Sequence, residues 1–174
     1  MKIASNFIVL LLLALTIQGC QTNNGDRNAN AESGIAGKEL VLRGQVSVPL
    51  PETYERVLLD EHAMIITGAD YSVVYRWIDQ EEIEFIGSDK SPYHFFSSVF
   101  NQPESNEEKR FLEGLTDEVH QSSSPGNLEL YYFNNGGGRQ LYILSNSLSF
   151  VVEITYKGDG EMYINRVITH AALK

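Results

Sequence analysis

LELYYFNNGGGRQLYILSNSLSFVVEITYKGDGEMYINRVIT, residues 128–169, is the stretch on which the fold turns. It contains four segments rich in β-branched and aromatic residues, near Leu128–Phe133, Gln140–Leu144, Leu148–Tyr156 and Met162–Thr169. Turn residues separate them at Asn134–Gly138, Ser145–Ser147 and Gly158–Gly160, so the stretch reads as a meander of four antiparallel strands. Side chains alternate across a strand. In the third segment that puts Phe150, Val152 and Ile154 on one face and Val151, Glu153 and Thr155 on the other. The neighbouring segments carry large side chains on both parities, Leu130 and Tyr132 against Tyr131 and Phe133, and Tyr142 against Leu141 and Ile143. With helices over one face, the other is expected to show Tyr131, Phe133, Tyr142 and Tyr163 to solvent as a partner-binding surface, since aromatics give contact area at little entropic cost. The competing reading is that strands favour aromatics and the rest of the chain covers that face as well.

Upstream, the period changes to helical. Ser91-Pro92 is a cap followed by a proline at the first helical position, where its missing N–H costs nothing. Phe95, Phe96, Val99 and Phe100 then share a face. Pro103 interrupts, and Ser105 to Glu108 forms a capping-box pattern ahead of Phe111, Leu112, Leu115 and Val119. Two helices, or one kinked at Pro103, are predicted, with Gln121–Asn127 as loop. Towards the N-terminus, Leu40–Val48 reads as a strand stopped by Pro49 and Pro51. Glu52–Glu61 reads as a short helix on the spacing of Tyr54, Val57 and Leu58, with a strand as the alternative. Ala63–Thr67 and Tyr71–Ile78 form a hairpin about Gly68–Asp70, and Ile83–Ile86 a short strand after the acidic loop Asp79–Glu82. Strands, then helices, then strands joined by short turns indicate an α+β fold. The expected architecture is one domain over residues 39–174, an antiparallel sheet of the C-terminal four-strand meander plus the N-terminal strands, packed on one or two helices.

The composition fits: 174 residues, 43% of them hydrophobic, are enough for one packed core, and a single cysteine permits no internal disulfide. A net charge of −10 opposes contact with phosphate backbones, so no nucleic acid is expected as a partner. The glycine-dense NNGGG at Asn134–Gly138 leads into a strand rather than a helix, which makes it a hairpin turn and not a phosphate cradle. His62, His94, His120 and His170 have no second ligand at metal spacing. The acids Asp79, Glu81, Glu82 and Glu84 lack an EF-hand pattern, and no Gly-x-Ser-x-Gly or Ser-x-x-Lys motif is present. No catalytic residue, metal or cofactor is expected, and the domain is read as non-enzymatic.

Phe7–Gln21, FIVLLLLALTIQGCQ, stands apart. After Lys2 its apolar run is too short to span a bilayer and ends at Gly19 and the only cysteine, Cys20, the pattern of a secretory signal peptide. Ile17-Gln18-Gly19-Cys20 resembles the lipobox of bacterial lipoproteins. The resemblance implies cleavage after residue 19, acylation of Cys20, and a membrane partner reached through that lipid, the palmitate class of anchor. Residues 20–38, lipidated cysteine followed by an Asn-, Gly- and Ala-rich run, are then a flexible tether. Gln21, where inner-membrane lipoproteins tend to carry Asp, implies the outer membrane with the domain facing the periplasm. The expected function is non-catalytic binding of a protein or peptide by an envelope lipoprotein. The alternatives are an acidic inhibitor or immunity-type lipoprotein against a basic toxin or hydrolase, and last an enzyme acting on envelope material.

Overall fold

The computed structural model describes residues 38–115, 118–123, 127–135, 138–158 and 161–174, all within a compact unit of Ile35–Lys174. The signal-peptide stretch, Cys20, the tether through residue 37 and Pro125-Gly126 lie outside the described residues. Among the described residues the fold is α+β, four helices with two antiparallel sheets of seven and three strands.

Strands β1 (Glu39–Leu42) and β2 (Val46–Pro49) form a hairpin, with β10 (Ala172–Leu173) added on the other side of β2. The single strand expected over Leu40–Val48 is therefore two. Arg43 and Gly44 both take positive φ, +45° and +71°, the reversal that the glycine permits. Next come β3 (Arg56–Leu59), β4 (Ala63–Thr67) and β5 (Ser72–Ile78). Helices α1 (Gln80–Ile86), α2 (Pro92–Asn101) and α3 (Asn106–Glu113) follow. The chain then returns through β6 (His120–Ser123), β7 (Glu129–Asn135), β8 (Gly138–Leu144), β9 (Val151–Lys157) and α4 (Glu161–His170). The large sheet runs β3-β4-β5-β9-β8-β7-β6, every pair antiparallel.

The caps fall where the sequence puts them. The Ser91 side chain accepts from the His94 N–H with Pro92 in the first turn, and Ser105 and Glu108 complete a capping box. The β4–β5 hairpin turns at Gly68, whose missing Cβ would sit 2.1 Å from the Tyr71 ring. The β7–β8 ladder reaches Asn135 opposite Gly138, so NNGGG joins two strands.

Four further segments differ from expectation. Met162–Thr169 is helix α4, not the fourth strand of a meander: Tyr163, Ile164, Val167 and Ala171 are buried at helical spacing, while Met162 is 80% exposed. Ile83–Ile86 belongs to α1, which Asp79 caps at one end and Gly87, at φ +97°, closes at the other. Arg56–Leu59 is a strand, the alternative reading, rather than a helix, because one side of its backbone pairs with β4. Part of the expected loop Gln121–Asn127 is strand β6, formed on β7 despite polar side chains.

The seven-stranded sheet lies between two covers. One face carries Val73, Tyr75, Leu130, Leu141, Ile143, Val152 and Ile154, packed against α4 and the small sheet. The other carries Ile78, Tyr131, Phe133, Tyr142, Leu144 and Val151 beneath α1 and α2. Towards β3 the second face opens, with Ile65 and Val74 half-buried and Leu58 exposed.

Candidate functional site

The four aromatics expected on an exposed face are all buried, and they do not share a face. Tyr131, Phe133 and Tyr142 lie under α2, where Tyr131 stacks on Phe100 at 4.6 Å and Tyr142 on Phe96 at 5.1 Å. Tyr163 projects from α4 into the opposite core, hydrogen-bonded to Tyr75 and donating to the Pro49 carbonyl at 3.0 Å. Large residues on both parities of β7 and β8 reflect a sheet covered on both faces, so the expectation of an aromatic surface is corrected. The hydroxyls are held as well. Tyr131 accepts from Asn101 and Gln121 and donates to Glu129, and burial pushes its pKa up to about 12.

Polar side chains converge where β5 meets α1. Arg76 donates to Glu153 at 3.2 Å and pairs with Glu82, while Gln140 bonds Glu153 and donates to the Tyr142 hydroxyl at 2.9 Å. Burial raises the Glu153 pKa, against the pull of Arg76 and Gln140. Burial likewise holds the Tyr142 phenol well above its usual range. Beside this network a cleft of about 220 Å³ is lined by His62, Arg76, Glu81, Glu82, Phe85 and Ile86. The cleft gathers an imidazole and two carboxylates, but its cation already bridges Glu82 and Glu153. His62 Nδ1 lies 3.8 Å from Asp79 rather than on Glu81 or Glu82.

A second groove, about 520 Å³, runs along α2 between Lys90 and Glu104. It holds a Ser91–His94 contact of 2.8 Å. Ser91 is the helix cap, however, and no carboxylate hydrogen-bonds His94 among the described residues, so the pair lacks the third group that orients a catalytic base. Lys90 there spans Glu104 and Glu108 at 3.1 and 2.7 Å. Among the described residues no group of three His, Cys, Asp or Glu side chains is placed to hold a metal, and no helix is long and apolar enough to cross a membrane.

The surface with spare capacity is the edge at β3. Every residue from Glu52 to Glu61 is exposed, and within that run Val57, Leu58 and Leu59 are three consecutive large apolar side chains, Leu59 at 71%. β3 ends the sheet, so one side of its backbone pairs with no strand among the described residues. The Asp60 N–H bonds to the Ala63 carbonyl at 2.8 Å, which fixes the alternation: Leu58 faces β4, and the N–H and C=O groups of Val57 and Leu59 point outward. Glu52, Glu55, Asp60 and Glu61 flank the apolar triplet. Such an edge is ready to pair with another strand, and natural sheets usually blunt it with charge or proline. The opposite edge, β6, shows His120, Gln121 and Ser122 instead. The signal for this site is in the sequence, three adjacent apolar residues between Arg56 and Asp60, but the helical reading of Glu52–Glu61 concealed it.

No protein-family model matches the chain, and neither a curated protein nor a solved structure is significantly similar to it.

Proposed function

We propose that this chain is a lipid-anchored envelope protein that works without catalysis, docking an extended segment of a partner protein on the β3 edge. The observation that carries the docking is the outward backbone of Val57 and Leu59 beside the exposed Val57-Leu58-Leu59 triplet. Strand addition takes affinity from main-chain hydrogen bonds and selectivity from the side chains on either side. Anchoring rests on Ile17-Gln18-Gly19-Cys20: acyl chains at Cys20 would hold the domain at the outer membrane's periplasmic face, and residues 21–38 would give it a reach of roughly 25 Å. The acids around β3 favour a basic partner, the feature shared with the inhibitor or immunity-type reading.

The test is co-purification from detergent-extracted envelopes with the full chain as bait, comparing the unsubstituted protein with Leu59→Asp. The reading expects a partner retained by the first and lost from the second, with retention falling as salt rises. A partner set that Leu59→Asp leaves unchanged would overturn the docking edge.

A further inference from the structure

We propose that the cleft between α1 and the β4–β5 hairpin receives a lysine side chain of the basic partner, its ammonium held by Glu81 and Glu82 and its stem lying along Phe85 and Ile86. The inference rests on the basic-partner reading for the source of the lysine, and on the cleft's own lining for the chemistry. At about 220 Å³ the cleft is smaller than the roughly 300–1,000 Å³ of sites that enclose a small-molecule ligand, and suits one inserted side chain.

His62 and Arg76 form one wall, brought together because Ala63 pairs with Arg76 and the Trp77 N–H bonds to the His62 carbonyl at 3.1 Å. Glu81, Glu82, Phe85 and Ile86 of α1 form the other. Residues three and four apart stack on one helix face, so the two carboxylates lie one turn, about 5 Å, from the two apolar side chains. A lysine is divided the same way, a four-carbon stem ending in a compact charge. Phe85 is 94% exposed, more than any other large apolar residue described, and its ring gives the stem contact area and the cation an attractive face.

The acceptors are not used up within the chain. Arg76 pairs with Oε1 of Glu82 and turns its other nitrogen to Glu153. Among the described residues, Oε2 of Glu82 and Nδ1 of His62 have no hydrogen-bond partner, and the ion pairs leave Glu81 out. Glu81, the second oxygen of Glu82 and the His62 ring thus offer acceptors to the three N–H donors of an ammonium. A lipid ethanolamine carries the same ammonium beside a phosphate, which these carboxylates repel, so a lysine side chain is the occupant.

The experiment follows the four histidine ring resonances by NMR in the detergent-solubilised full chain, with His62→Gln assigning His62. The probe is N-acetyl-lysine methylamide. N-acetyl-norleucine methylamide, the same stem without the charge, is the control at matched ionic strength. The lysine probe should shift His62 saturably, half-complete in the millimolar range, while His94, His120 and His170 stay put and the norleucine probe has no effect. Glu81→Gln and Phe85→Ala change exposed side chains, so the fold survives, and each should weaken binding roughly two- to fivefold. No shift at His62, equal shifts at all four histidines, equal shifts with both probes, or unchanged affinity in both variants would overturn the lysine site. If the probe binds as expected while Leu59→Asp keeps its envelope partners, the docking edge falls and the cleft stands. If His62 stays still while Leu59→Asp loses the partner, the cleft falls and the edge stands.

Discussion

Glu108 shows how one side chain settles a local structure. It is fully buried, yet Lys90 at 2.7 Å, the Ser98 hydroxyl at 2.9 Å and the amides of Glu104 and Ser105 at 2.7 and 3.0 Å all donate to it. Burial works to raise its pKa, but the donors win and hold it at about 2. The carboxylate therefore stabilises the fold fully above its ordinary pKa of 4.5, and that contribution fades as pH falls from there towards about 2. Glu108→Ala, which strands those amides, should lower stability by about 1–3 kcal/mol near neutral pH in a denaturant titration. The gap to the unsubstituted protein should narrow through that acid window; a gap constant with pH would mean that the charge contributes nothing. The capping half of this arrangement was legible in Ser105-x-x-Glu108. The Lys90 half was not, because it joins positions 18 residues apart.

At the scale of elements, sequence and structure part where short apolar runs suit either period. Met162–Thr169 is rich in β-branched residues and follows three segments that are strands, which argued for a fourth. The helical spacing of Tyr163, Ile164, Val167 and Ala171 was equally present, and the core took it. Substitution separates the two periods, since Met162 and Ile164 share a face in a strand but not in this helix. Ile164→Ala should cost about 2–5 kcal/mol, and Met162→Ala should stay within about 0.5 kcal/mol; comparable losses would restore the strand. The helices α2 and α3 were legible because their caps are chemical statements, Ser91-Pro92 and the Ser105–Glu108 box, rather than periodicities. Strand β3 was hidden for the opposite reason. Four residues carry too little periodicity to show that their backbone bonds go to β4. Because its side chains are exposed, Leu59→Asp should leave the thermal midpoint nearly unchanged while abolishing docking. A large drop in that midpoint would mean that β3 packs within the chain.

For the whole molecule, the sheet covered on both faces explains why the aromatic residues that looked available are not. Tyr131, Phe133, Tyr142 and Tyr163 are core, and the β3 edge is among the apolar surfaces that stay exposed. Under the proposed docking, a charge of −10 and the acids beside that edge would favour a basic partner. Anchoring is testable separately. Intact mass of membrane-extracted protein should correspond to a chain starting at Cys20 with added acyl groups, and Cys20→Ser should release the protein from membranes, since each buried methylene contributes about 0.8 kcal/mol. A Cys20→Ser protein that stays bound would remove the lipid from the account. The central claim, that this protein docks through β3, is tested most directly by residue-resolved amide hydrogen exchange on the full chain, read at Val57 and Leu59 with the docked segment present and absent. Those two amides should exchange freely in the unoccupied state and slow sharply on docking, while the amides of β9, already paired on both sides, stay slow throughout. Fast exchange at Val57 and Leu59 in the bound state, with protection arising elsewhere, would contradict it.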